Sequence, residues 1–295
     1  TISREEISRL PVAQSLGSVA QLAPGVIGGN SSFGGISFGG SSVAENSVFI
    51  NGLNVTDFYR RQSFSTAPFA FYREFQVKTG GYSVEFGRST GGVINAVTRS
   101  GSNEFQGGME LTFEPSAWGS SADDRFYSDG SVNVRASRDR SSFTKANVWA
   151  SGPVIRDRLF LFAMYEQRES KSGFTNSGGS TWSERDGSNG FWGAKMDWNL
   201  SDNHYLELLA FSDEGDTETL VLPYDWDTAT VGDGVPSRSN NSSGGESGSI
   251  TYTGYFGENF TAKAMYGINK SSSFLRSPAD ALCDWVTYNN ASYGP

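Results

Sequence analysis

What most limits this chain is the way its alternating segments are joined. Seven stretches alternate between apolar and polar side chains: Phe105–Glu114, Phe143–Gly152, Leu159–Ser170, Phe191–Leu200, His204–Asp213, Ser249–Phe256 and Phe260–Lys270. In Phe191–Leu200 one face carries Trp192, Ala194, Met196, Trp198 and Leu200, and the other carries Phe191, Gly193, Lys195, Asp197 and Asn199. A period of two with one polar face describes a strand that is apolar on one side and wet on the other. Leu159–Ser170 is less regular, because its first seven residues are apolar on both faces. The six connections are 28, 6, 20, 3, 35 and 3 residues long, so long and short alternate throughout. In an up-and-down meander every second connection lies at the same end, so one end is trimmed and the other elaborated. Transmembrane barrels have that asymmetry, with short turns on one side and long loops on the other. A soluble sandwich has no reason to sort its connections in this way.

Composition excludes several alternatives. The chain has 295 residues with one His and one Cys, which leaves no ligand set for a His/Cys metal cluster and no internal disulfide framework. A net charge of −9 offers no basic stripe for phosphates, so nucleic-acid binding is not expected. The longest purely apolar run, Leu159–Tyr165, has seven residues, whereas a membrane helix needs about 20. The first residues, Thr1 to Glu6, are too polar for a signal peptide. With a single His and no nucleophile elbow, no Ser–His–Asp arrangement is readable, and an enzymatic role is not expected.

The first hundred residues differ from the rest. Ser3 with Glu6 three residues later is a capping-box pattern, and a second helical stretch, Val12–Leu22, stops at Ala23-Pro24-Gly25. Gly28–Ser42 is rich in Gly and Ser, with Phe33, Ile36 and Phe38 spaced through it. It reads either as a flexible loop or as irregular backbone packed inside something larger. Val48–Ile50 followed by Asn51-Gly52 reads as a strand and a tight turn, and Glu74–Val77 and Gly92–Val97 read as further short strands. This is a small α+β unit with little apolar mass. If it sits inside the barrel, the lumen is wide, of the kind associated with about 22 strands, and the seven strands here are roughly a third of the circumference.

Residues 71–107 resemble the end of the plug domain of TonB-dependent outer-membrane receptors. The matching stretches run from Tyr72 to Thr79, from Gly80 to Gly87 and from Gly91 to Gly101, and Val48–Leu53 is similar to the family's plug strand and turn, which commonly carries Asp where Asn51 stands. The longer form from Asn95 to Gly107, and Ser151–Phe162, are most similar to the Oar-like branch. The resemblance implies a plug over 1–101 and barrel strands with external loops over 102–295. It also implies an outer-membrane location and import of an external peptide, glycan or protein ligand by plug displacement. TonB would couple through a segment upstream of Thr1, where a signal peptide is also expected, and a surface lipoprotein would be a further partner. Two rivals stay open: an outer-membrane structural or adhesion barrel that binds surface proteins through its long loops, and a soluble secreted β-protein.

Several residues follow as candidates. Plug segments Gly28–Ser42 and Val55–Pro68 face the exterior in this family, which makes Phe33, Phe38, Asp57, Phe58, Tyr59, Arg60 and Arg61 candidate ligand contacts. Glu85 and Arg88 are candidates to latch the plug to wall charges, with partners among the inward-facing Glu110, Lys145, Lys195, Asp197, Glu207 and Lys263. Gly80, Gly81, Gly87, Gly91 and Gly92 are expected to give turns and close packing. Residues 214–248 hold seven carboxylates against Arg238. They read as a solvated acidic lid; Ca²⁺ is the alternative, although no EF-hand spacing is present. No cofactor is otherwise expected. His204 is expected at the trimmed rim, and Cys283 is expected to pair with a cysteine C-terminal to these residues.

Overall fold

A computed structural model describes residues 2–9, 16–28, 35–57, 67–83, 86–87, 89–120, 122–176, 181–278, 286–288 and 291–293. Among these, the first hundred residues build a five-stranded sheet in the order β1-β6-β7-β4-β5. Its elements, with those packed around it, are β1 (Ile2–Ser3), α1 (Arg4–Ser8), α2 (Leu16–Ala20), β2 (Val26–Gly28), β3 (Ile36–Phe38), β4 (Ser47–Ile50), β5 (Leu53–Asn54), β6 (Tyr72–Lys78) and β7 (Val93–Thr98). The capping box forms as read, with the Glu6 N–H donating to Ser3 Oγ at 3.2 Å and the Ser3 N–H donating to Glu6 Oε2 at 2.8 Å. The second helix is described only over Leu16–Ala20, inside the expected Val12–Leu22. Asn51 and Gly52 both have positive φ, 48° and 85°, the backbone of a tight hairpin turn between β4 and β5. Part of Gly28–Ser42 is ordered sheet, since β2 and β3 pair and Ile36 and Phe38 are buried.

The remaining elements are β8 (Gln106–Glu114), β9 (Arg125–Phe126), β10 (Val132–Val134), β11 (Arg140–Ile155), β12 (Leu159–Thr175), β13 (Thr181–Ser201), β14 (His204–Ser212), β15 (Gly215–Asp225), β16 (Thr230–Val231), β17 (Ser237–Gly244), β18 (Glu246–Phe256), β19 (Phe260–Asn269), β20 (Ser272–Arg276), β21 (Val286–Tyr288) and β22 (Ala291–Tyr293). All seven expected strands appear, joined as an antiparallel meander in the order β19-β18-β14-β13-β12-β11-β8. Two expected loops are largely strand instead. β12 and β13 run on through most of Lys171–Gly190, and the acidic segment 214–248 is a hairpin of β15 and β17 laid along the upper half of β13. The apolar/polar alternation stops there because both faces are wet, and hydrophobic periodicity registers only strands with one dry face. The sheet breaks at one level, where Gly244 has φ +100° and a Cβ on Gly245 would lie 2.0 Å from the Lys270 carbonyl oxygen.

Which face meets lipid follows from packing. A Cβ on Gly193 would lie 2.4 Å from the Phe71 ring, so the Phe191, Gly193, Lys195, Asp197 face of β13 is turned toward the first domain. Trp192 and Trp198 point away and are 45% and 38% exposed, alongside exposed Leu161, Tyr165, Ile250 and Tyr266 on neighbouring strands. This outward apolar band crosses the strands obliquely. It centres on Met109 in β8 and on Ala264 in β19, yet the register leads from Met109 through Val148, Tyr165, Trp192, Ser212 and Glu246 to the level of Lys270. A slip of about six residues over six strand steps is about 20 Å against about 29 Å, a tilt of about 35°. That falls at the low end of the tilt of transmembrane barrel strands, about 35–45°. At the trimmed rim His204 Nδ1 lies 2.6 Å from the Tyr252 hydroxyl, and Phe256 packs edge-on to the imidazole at 5.2 Å. Rings with a polar tip suit a membrane–water boundary.

Met196→Arg would place a charge in the middle of this band. Folding of the intact barrel into lipid vesicles should lose about 2–4 kcal/mol. An unchanged folding free energy would mean that this face does not meet lipid.

Candidate functional site: the plug against the barrel wall

The first domain is short of apolar residues and completes its core on the wall. Phe162, Met164, Phe191, Leu209 and Phe211 belong to the same hydrophobic cluster as Ile7, Val19, Ile50, Phe75 and Ile94. Phe71 is the central contact, fully buried, with ring centroids 5.1 Å from Phe191, 5.9 Å from Phe211 and 6.1 Å from Phe162. Gly193 is required here, because any side chain would occupy the space of the Phe71 ring. Next to it the Arg99 guanidinium lies 3.5 Å from the Trp149 ring centroid and 5.2 Å from that of Phe162.

Beside this apolar seam lies a polar one. Lys195 Nζ is 3.0 Å from Glu207 Oε2 and 3.2 Å from Asp197 Oδ1, and it donates to Ser100 Oγ at 2.8 Å. Asn51 Nδ2 donates to Glu207 Oε1 at 3.1 Å and to Thr98 Oγ1 at 2.7 Å, while Asn51 Oδ1 accepts from the Thr98 N–H. Tyr205 donates its hydroxyl proton to Asp197. Lys195 and Asp197 are each 4% exposed, so their charges are held by one another and by the plug rather than by water. Gly52 is needed in the turn that carries Asn51 for its φ of +85°, and a Cβ there would meet Met265 of the wall only at ordinary contact distance, 3.8 Å. Asn269 Nδ2 adds a donation to the Asn54 carbonyl at 3.3 Å. At the trimmed end, Asn103 and Asp157 exchange hydrogen bonds of 2.6 and 2.8 Å and pin the connecting segment to the first short turn.

Residues 1–93 match the family model described as the TonB-dependent receptor plug domain. The TonB-dependent transporter Oar of Myxococcus xanthus is 34% identical over 171 residues, covering 55% of this chain and 16% of that protein. Residues 1–93 are thus identified as a TonB-dependent receptor plug domain, and the chain is similar to a TonB-dependent transporter over the matched stretch. Solved receptors share the fold at low identity. A mutant of the ferric enterobactin receptor of Pseudomonas aeruginosa superposes with a TM-score of 0.57 at 15% identity, covering 90% of this chain and 39% of that one. The copper transporter OprC gives 0.53 at 12% identity, covering 96% of this chain and 46% of that one. The chain therefore spans less than half the length of these solved receptors and less than a fifth of Oar.

The wall residues expected from the sequence lie on the inner face: Glu110 and Lys145 pair at 2.8 Å, Lys195 joins Asp197 and Glu207, and Lys263 shares the inner face of β19 with Met265. Glu85 and Arg88, the candidate latch, lie outside the described residues, as do Phe33, Phe58, Tyr59, Arg60, Arg61 and Cys283. Of the other two candidate ligand contacts, Asp57 is half-buried after β5. Phe38 does not fit that role: it is 4% exposed in the plug core, and a Cβ on Gly92 would fall 2.1 Å from its ring. Its alternation with Ile36 marks the dry face of a short strand. The acidic segment is a hairpin rather than a loop, with most of its carboxylates exposed as expected. Its carboxylates are spread along a hairpin, Glu218 pairs with Arg238 at 2.9 Å, and among the described residues no three His, Cys, Asp or Glu gather to hold a metal. Asn51, Phe71, Arg99 and Ser100 were not singled out from sequence, since only their partners on distant strands give them a role.

On the external side, Asp124 anchors the segment before β11. Its Oδ1 accepts from the Ser137 N–H at 2.9 Å, and Arg135 bridges from Asp124 Oδ2, at 3.1 Å, to the Trp226 carbonyl on the β15–β16 turn. These hydrogen bonds, chiefly that from the Ser137 N–H, hold the Asp124 carboxyl below its ordinary 3.8. A depressed carboxylate contributes stability that is fully present above the unfolded value and is lost as pH falls through the folded one. Trp226 fluorescence in the intact receptor should therefore stay constant from pH 7 to about 5 and change only at pH below 3.8, with Asp124→Asn removing that step. A step centred above pH 5 would assign the contact to another group.

Lys195→Met should leave Asp197 and Glu207 without their cation and loosen the plug by about 3–5 kcal/mol. Amide exchange of Asn51, Ala96 and Thr98 reports this directly. Unchanged protection would show that the apolar seam alone holds the plug.

Proposed function

We propose that the receptor binds an external ligand and imports it when TonB, pulling through a segment upstream of Thr1, displaces or remodels the plug. The observation that carries this reading is the composition of the plug–wall seam. Its polar half is a handful of side-chain contacts, Asn51 to Glu207, Ser100 to Lys195 and Asn54 to Asn269, which water can replace one at a time. Hydrogen bonds of this kind contribute about 0.5–1.5 kcal/mol net each, and about 1.5–3 where one partner is charged. A plug held in this way is stable at rest and yields to a directed pull. The family model over residues 1–93 and the similarity to a protein described as a TonB-dependent transporter support the same reading.

External ligand contact is assigned to Asp57 and to the neighbouring Phe58, Tyr59, Arg60 and Arg61, and to the long strands that extend β12, β13, β14 and β18 above the band. Peptides, glycans and proteins are the ligand classes considered. The partners in this reading are TonB, outer-membrane lipid and a surface lipoprotein.

The test needs no identified ligand. Ala96 is fully buried in the plug, so Ala96→Cys in the intact receptor should react with a maleimide only when the plug moves. Labelling in living cells should rise with an energised inner membrane and fall on adding a protonophore or deleting TonB. Labelling that ignores both would remove energised displacement from the account.

A further inference from the structure

Above the level of the breaks at Asp213–Glu214 and Gly244–Gly245, the wall continues as β12, β13, β15 and β17 with two unlike faces. On the outer face the cations are paired: Arg140 with Glu184 at 2.7 Å, Lys171 with Asp186 at 2.9 Å and Arg238 with Glu218 at 2.9 Å. The inner face is drawn from alternate residues of 168–174, 183–189, 215–221 and 237–243, and it is mainly Ser, Thr, Asn and Gly with no carboxylate. Arg185 stands in the middle of it. The register sets Ser172 on one side, and Thr219 and then Ser239 on the other. Among the described residues no carboxylate pairs with Arg185, whose guanidinium lies over the Phe174 ring at 4.8 Å.

That arrangement differs from a structural arginine's. The Phe174 ring takes up one side of the guanidinium as a cation–π contact, while Arg185 as a whole stays exposed. Directly paired positions on neighbouring strands have Cβ atoms about 5 Å apart, which sets the Ser172 and Thr219 hydroxyls on either side of the base of the Arg185 side chain. An arginine beside hydroxyl-bearing positions, with no acid on these four stretches of the inner face, matches an oxyanion. We propose that Arg185, with Ser172 and Thr219, receives a carboxylate, phosphate or sulfate group of the external ligand. The assignment rests on the reading of this protein as a ligand-binding receptor, and it narrows the ligand to one that carries an oxyanion.

The test uses the intact receptor purified in detergent at low salt, with calorimetric titration of two matched pairs of probes. These are a galacturonate hexamer against maltohexaose, and dextran sulfate against dextran. The anionic member of at least one pair should bind more tightly than its neutral counterpart, and the preferred pair distinguishes carboxylate from sulfate. Arg185→Gln should weaken that binding by about tenfold or more. Arg185→Lys, which keeps the charge and loses the fork, should recover part of it. Lys171→Gln, on the outer face, should leave it unchanged. Failure of both anions to bind, equal binding of the neutral probes, or an unaffected Arg185→Gln variant would each overturn the assignment. None of these readouts depends on TonB or on an energised membrane, so energy-independent labelling of the Ala96→Cys plug would defeat the import reading while leaving this result standing.

Discussion

The structure depends on the burial of Phe71 among Phe162, Phe191 and Phe211. The plug has too few apolar side chains to close a core by itself, and the barrel wall has an inner face too polar to be left dry without something to satisfy it. Each completes the other. The apolar seam supplies most of the hold through area removed from water, and the polar seam around Lys195 fixes the register in which the two surfaces meet.

These two seams respond differently to load. Hydrophobic burial is non-directional and tolerates small sliding, whereas the Asn51, Ser100 and Glu207 hydrogen bonds fail over a few tenths of an ångström. A pull on the plug therefore meets its sharpest resistance from few, replaceable contacts. In the proposed import step, the segment pinned at Asn103 and Asp157, together with Arg99 over Trp149, would keep the C-terminal end of the plug attached to the wall while the rest shifts.

Above the membrane the wall changes character without changing secondary structure. The same strands that present Trp and Leu to lipid carry Ser, Thr and Asn upward, and the glycine breaks at one level allow the upper sheet its own direction. Outside, carboxylates and cations form cross-strand pairs. Inside, hydroxyls dominate and Arg185 is set apart. One continuous ladder thus serves three media: lipid, plug and external water.

Strand existence, the seven-strand meander, the apolar stripe and the inner-facing charges were legible in the sequence, because a strand with one dry face writes a period of two into its residues and a trimmed rim writes short connections. The plug motifs were legible where a glycine is locally required, as in the Gly52 turn with its φ of 85°. The upper halves of β12 and β13 and the hairpin of β15 and β17 were not, since a strand wet on both faces leaves no hydrophobic period. Phe38 was misplaced for the complementary reason, a short buried strand reading as a glycine-rich loop. Only the tertiary structure decided that Asn51 would meet Glu207, 156 positions away, or that Phe71 would become the centre of the core. Local rules govern turns and faces, but the identity of a partner across a lumen is set by how the whole sheet curves, and no single segment contains that information.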